Sequence, residues 1–131
     1  MQKAVAAAKA FPLLEKQAAK VEEALNKLAE VAIHMGTAAM SDKVLNAFAN
    51  AHPFQDATGD VVMAWMLLWR ASIAAGKLET AKKKDVAFYN GIIKSLQFFV
   101  ETLLPVTLGR FNALMNISGA ALEIEDTMFP S

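Results

Sequence analysis

The stretch Leu14–Met35, LEKQAAKVEEALNKLAEVAIHM, decides the fold class. Its apolar residues fall at Leu14, Ala18, Val21, Leu25, Leu28, Ala32 and Met35, an alternation of four and three that places them on one side of a helix. Between them lie Glu15, Lys16, Lys20, Glu22, Glu23, Asn26, Lys27 and Glu30, a solvated face on which Glu23 and Lys27 have the spacing of an i,i+4 ion pair. Such a stripe needs other helices to cover it. Pro12 suits the entry to this helix, and Gly36 suits an exit near its end.

Working outward, the same period recurs. A short helix is expected after Ser41 or Asp42, either of which suits a cap, with Val44, Leu45 and Phe48 as its inner edge. A third helix should begin near Pro53 and end at about Gly76, carrying Phe54, Val61, Val62, Trp65, Leu68, Trp69 and Ile73. Apolar residues nearly surround its middle, which predicts the most buried helix. Gly59 inside it costs about 1 kcal/mol relative to alanine, so a close neighbour is expected there. The polar link Lys77–Lys84 precedes a fourth helix, capped by Asp85, which runs through Tyr89, Ile92, Leu96, Phe99 and Leu103 to about Leu114. Pro105 interrupts that helix and predicts a kink near Glu101–Pro105. Residues Asn116–Ser131 read as a short helix or an extended tail. The chain is therefore expected to be all-α: a single up-and-down bundle of about four helices, residues 1–131, with a short C-terminal tail.

Composition narrows the function. Thirteen basic residues balance thirteen acidic ones, so no overall basic field points to nucleic acid. Hydrophobic residues make up 55% and charged residues 20%, an apolar surplus for a small bundle. The absence of cysteine excludes disulfides and thiolate metal sites and fits a reducing cytoplasm. The run Val61–Trp69 is too short for the ~20 residues of a membrane span, and no span is expected. Nor does the alanine-rich start, MQKAVAAAKAF, have the apolar centre of a signal peptide.

Chemistry is sparse. His34 and His52 have no partner at the spacing of a helical metal site, and metal ligation is not expected of either. The six glycines are scattered singly, so there is no phosphate loop. Ser41, Ser72, Ser95, Ser118 and Ser131 lack the setting of a nucleophile. Glu123 and Glu125 belong to a solvated tail. Trp65, Met66 and Trp69 have the spacing of a flat ligand pocket, but the core is the stronger reading. Lys82, Lys83 and Lys84 read as a solvated loop before an anion site.

Two stretches carry a resemblance. AHPFQDATGDVVMAWMLLWRASIAA, residues 51–75, and DVAFYNGIIKSLQFFVETLLPVTLGRF, residues 85–111, resemble the C-terminal helical extension of one acyl-CoA dehydrogenase subgroup, the acetyl-CoA-dehydrogenase-like C-terminal domain. The matching features are Gly59, Val62, Trp65 and Leu68, then the pair Phe88–Tyr89, then Lys94 and the sequence Leu103-Leu104-Pro105. The match is looser before Val44. The resemblance implies a parent flavoenzyme of fatty acid metabolism that takes two hydrogens from an acyl-CoA thioester, with FAD as hydride acceptor and a glutamate as base. It places the FAD pocket and that glutamate upstream, so no catalytic, cofactor-binding or metal residue is carried over. The chain alone is then no enzyme. Met1 is expected not to be the native start, and the partners implied are the remainder of the parent chain, its acyl-CoA substrate and a second subunit. Two alternatives stand beside this reading: a free-standing helical interaction module, and a small-ligand-binding bundle with its pocket at Trp65 and Trp69. The apolar residues of the fourth helix, Phe98 among them, exceed what a core can take, which predicts a symmetric homodimer of the isolated chain.

Overall fold

A computed structural model describes residues 1–130. The described residues are helical throughout their ordered elements: α1 (Gln2–Lys9), a 3-10 turn Pro12–Leu14, α2 (Glu15–Ala39), α3 (Val44–Ala49), α4 (Ala51–Leu78), α5 (Lys83–Phe98), a π-helical turn Phe99–Leu103, α6 (Leu104–Leu114), α7 (Ala120–Glu123) and a 3-10 turn Asp126–Met128. The fold is the expected all-α bundle. Helix α4 is its hub, packing on α1, α2, α5 and α6, while α3 joins α2 to the start of α4.

Helix α1 was not expected from the sequence, because its alanines carry little periodic signal. It inserts Val5 and Ala8 into the core and packs on both α2 and α4. On α2 the quoted stripe is correct at Leu14, Ala18, Val21, Leu25 and Met35, but Val31 is buried where Ala32 was expected. Gln17, Val21, Ala24, Val31, Met35 and Ala38 are buried along a neighbouring four-and-three line, and toward the end of α2 the inward face follows that line. The helix continues past Gly36 to Ala39. Lys27 pairs with Glu30 at 2.9 Å instead of with Glu23. A second ion pair, Lys9–Glu22 at 2.6 Å, ties α1 to α2.

Several expectations for the middle of the chain are corrected. Helix α3 buries Ala47, while Leu45 and Phe48 face solvent. Ser41 does not cap it: its hydroxyl donates to the Ala38 carbonyl and accepts from the Lys43 amide, closing the turn. Helix α4 runs on through Gly76 to Leu78. It buries mostly small residues, Ala57, Ala64, Ala71, Ser72, Ala74 and Ala75, together with Val61 and Leu68. Trp69 and Ile73 lie half exposed, so α4 is not sealed all round. Nothing approaches Gly59, which leaves its helix-propensity cost uncompensated by packing. Lys82 is the N-cap of α5, and Asp85 lies inside its first turn.

Length does not exclude a membrane span, contrary to expectation. Helix α4 and the run Lys83–Leu114 each contain an 18-residue window of mean hydropathy 1.3, long and apolar enough to cross a membrane by length and composition alone. A whole-helix window averages over the polar residues that break the uninterrupted apolar run. In α4, 39% of that window is buried inside the bundle.

The kink before Pro105 takes the form of the π turn Phe99–Leu103. Proline has no N–H to donate and crowds the carbonyl four residues back, and a π turn opens the ladder at that place. The extra residue also shifts the register. Leu96 and Val100 are followed inward by Leu104, Thr107, Phe111 and Leu114, so Leu103, expected in the stripe, turns toward solvent. Buried Thr107 lies 2.8 Å from Asp60 Oδ2 and 3.4 Å from the Leu103 carbonyl, and Arg110 reaches the same carboxylate at 3.4 Å. Gln17 of α2 donates to Glu101 of the π turn at 3.4 Å. The Thr107 and Arg110 bonds hold α6 against α4, and the Gln17 bond holds the π turn against α2.

Candidate functional site

The serine hydroxyls singled out in the sequence are engaged with nearby backbone. Ser72 donates to the Trp69 carbonyl at 2.7 Å and Ser95 to the Gly91 carbonyl at 2.9 Å. Ser118 accepts from the Ala120 amide at 3.2 Å. Ser131 lies outside the described residues. His52 is exposed and faces Asp56 at 3.6 Å, one turn along α4. His34 is half-buried, and its Nε2 is enclosed without a hydrogen-bond partner. Among the described residues no group of three or more His, Asp or Glu side chains could hold a metal ion. Glu123 and Glu125 are exposed, as read from the sequence.

What the structure does assemble is apolar surface around α4. One open groove of about 600 Å³ lies between α1 and α4, floored by Ala4, Ala7 and Phe11 and walled by Trp65, Trp69 and Ile73. The Trp65 indole N–H is enclosed without a partner. The spacing of Trp65 and Trp69 therefore does bring the two rings to one groove, against the stronger sequence reading that put both in the core. The sequence signal was the all-round apolar character of α4, which leaves some side chains without a core to enter.

A second groove runs between the antiparallel helices α4 and α5. Its deeper part, about 340 Å³, is formed by Leu67, Arg70, Phe88, Ile92 and Ser95. It continues past Ile73 and Lys77, where a further 290 Å³ is bounded by Phe88, Tyr89 and Ile92. Beyond this the surface carries Lys77, Lys82 and Lys84 around Thr80 and Tyr89, with Asp85 the one acid among them. Phe88 is 65% exposed and rests edge-on against Tyr89, with ring centroids 5.6 Å apart. The exposed lysines agree with the sequence reading, but their position at the mouth of an apolar groove was not visible in it.

Between α2 and α6 another hollow, of about 640 Å³, is lined by Glu22, Glu23, Asn26, Lys27, Glu30 and Asn112 together with Ala19 and Leu108. That hollow is ringed by charged side chains, whereas the α4–α5 groove is mostly apolar as far as its lysines.

The described residues thus form an all-α bundle with an irregular α5–α6 passage and an aromatic pair near the start of α5. The chain belongs to the family described as acetyl-CoA dehydrogenase C-terminal like, whose model matches residues 1–125. The match includes the segment before Val44, where the resemblance was loose. Comparison with curated proteins finds no match.

Proposed function

We propose that this chain is the C-terminal structural and interface domain of a flavin-dependent acyl-CoA dehydrogenase, and that it has no catalytic site of its own. The observation that carries the reading is family membership over residues 1–125, together with large apolar side chains turned outward on α4 and α5. Trp69 and Ile73 are just under half exposed and Phe88 and Phe98 more than half, which is costly for an isolated small bundle and ordinary for a surface meant to be covered. In the parent enzyme, a cytoplasmic homo-oligomer on this reading, that surface packs on the dehydrogenase body or on a neighbouring subunit. FAD and the acyl-CoA substrate are held by the body. Helix α4 then lies in the bundle rather than in a membrane, consistent with Asp60 on it bonding to Thr107 and Arg110 of α6.

The test is spectroscopic. The protein made from the whole reading frame that contains this sequence should purify with FAD and dehydrogenate an acyl-CoA thioester. The 131-residue chain alone should purify colourless and leave acyl-CoA unchanged. A stoichiometric flavin absorbance in the isolated chain, or a reading frame without a flavin-binding segment, overturns the proposal.

A second reading, a small-ligand-binding bundle, draws on the α1–α4 groove. It requires tryptophan fluorescence that responds saturably to an apolar ligand and loses the response in Trp69→Ala.

A further inference from the structure

The charge of this chain balances overall but not locally. From Arg70 to Asp85 there are five basic residues, Arg70, Lys77, Lys82, Lys83 and Lys84, against two acids, Glu79 and Asp85. Beyond Arg110 there is no basic residue, while Glu123, Glu125 and Asp126 are all acidic. The same acidic segment carries Leu122, Ile124, Met128 and Phe129, every one of them exposed, Phe129 by 63%. Its backbone is extended at Ile124 and Glu125, which sets Ile124 apart from the carboxylates on either side. An acidic, apolar, uncovered segment and a basic, apolar, uncovered groove thus occur in one chain.

We propose that the segment Ala120–Phe129 of one copy docks in the α4–α5 groove of a second copy. Its carboxylates meet Lys77, Lys82 and Lys84, and its apolar side chains cover Phe88, Ile92 and Ile73. Reach decides between copies. Gly119 is held beside Asn46 of α3, next to the start of α4, where an added Cβ would lie 3.1 Å from the Asn46 amide nitrogen. Lys77 lies near the far end of α4, about 39 Å away along a helix rising 1.5 Å per residue. From Gly119 to Asp126 even a fully extended chain covers only ~25 Å. The segment cannot place its carboxylates on the basic mouth of its own groove. A reciprocal exchange between two copies satisfies both grooves at once under two-fold symmetry. Opposite charge fixes the register, and the apolar contacts hold it.

This inference does not depend on the parent-enzyme reading, because both partners lie within the chain; flavin absorbance tests that reading and solution mass tests this one. The experiment is sedimentation equilibrium of the 131-residue protein at tens of micromolar and low salt. The wild type should be a dimer, and deletion of residues 120–131 should give a monomer. Lys82→Glu with Lys84→Glu should weaken the dimer by about tenfold or more, as should Glu123→Lys with Glu125→Lys. An equimolar mixture of the two reversed proteins should dimerise again, since each groove then meets a segment of opposite sign. Phe98→Lys lies outside the groove and should leave the dimer intact. A fluorescent peptide of residues 118–130 should bind the deletion variant, which reads the contact without requiring the variants to assemble. A monomeric wild type, a dimer that survives the deletion, or a mixture that stays monomeric overturns the proposal, as does loss of the dimer in Phe98→Lys with the deletion variant still dimeric.

Discussion

Helices α2 and α4 are of similar length and answer the same requirement in different ways. On α2 the core residues Ala18, Val21, Leu25, Val31 and Met35 face inward, and the back is charged from Glu15 to Glu30. On α4 the inward line is mostly alanine, while the larger Trp69 and Ile73 point out. Small residues let α1, α2, α5 and α6 approach the hub closely, so the bulk that would normally fill a core is displaced to the rim. Along most of its length α2 is complete within this chain. The outward face of α4, with α5 beside it, leaves large apolar side chains exposed. Interface function is therefore to be sought on α4–α5, and stability in the layer between α2, α4 and α6.

Substitutions in that layer should have the largest effects. Phe111 is fully buried between α6 and its neighbours, and Phe111→Ala should lower unfolding free energy by about 3–5 kcal/mol in chemical denaturation. Leu68→Ala, on the inward line of α4, should cost about 2–5 kcal/mol. Thr107→Val removes the hydroxyl bonded to the Asp60 carboxylate and should cost ~1.5–3 kcal/mol, with a lower thermal midpoint. Trp69→Ala, on the outward line, should change monomer stability by less than Leu68→Ala despite the larger side chain; the reverse order would break the comparison. Lys83→Ala should stay within ~0.5 kcal/mol of wild type in the same denaturation series.

How much of this was legible in the sequence varied with the physical source of the signal. The α2 stripe was readable because its polar back contrasts with its apolar front; Val31 replaces Ala32 because the inward face there follows the line of Val21 and Ala24, which depends on where the neighbouring helices lie. Pro105 announced an irregularity, since its missing N–H is a covalent fact. That the irregularity would be a π turn, moving the stripe from Leu103 to Leu104, depends on how α6 meets Asp60 and could not be read locally. Trp65 and Trp69 were misplaced for another reason. Periodicity tells which residues share a face, and on α4 nearly every face is apolar. Helix α1 was missed because alanine packs without marking an amphipathic pattern. The candidate surface was legible only as an apolar surplus in composition; its groove, and the lysines at the mouth, required the helices to be placed side by side.

The measurement closest to the central claim is amide hydrogen exchange at two protein concentrations, one well below and one well above the association midpoint. A surface built to be covered predicts added protection on concentration at residues 83–92 and 120–129, with α2 unchanged. Identical exchange at both concentrations, or protection spread over the charged back of α2, would contradict it.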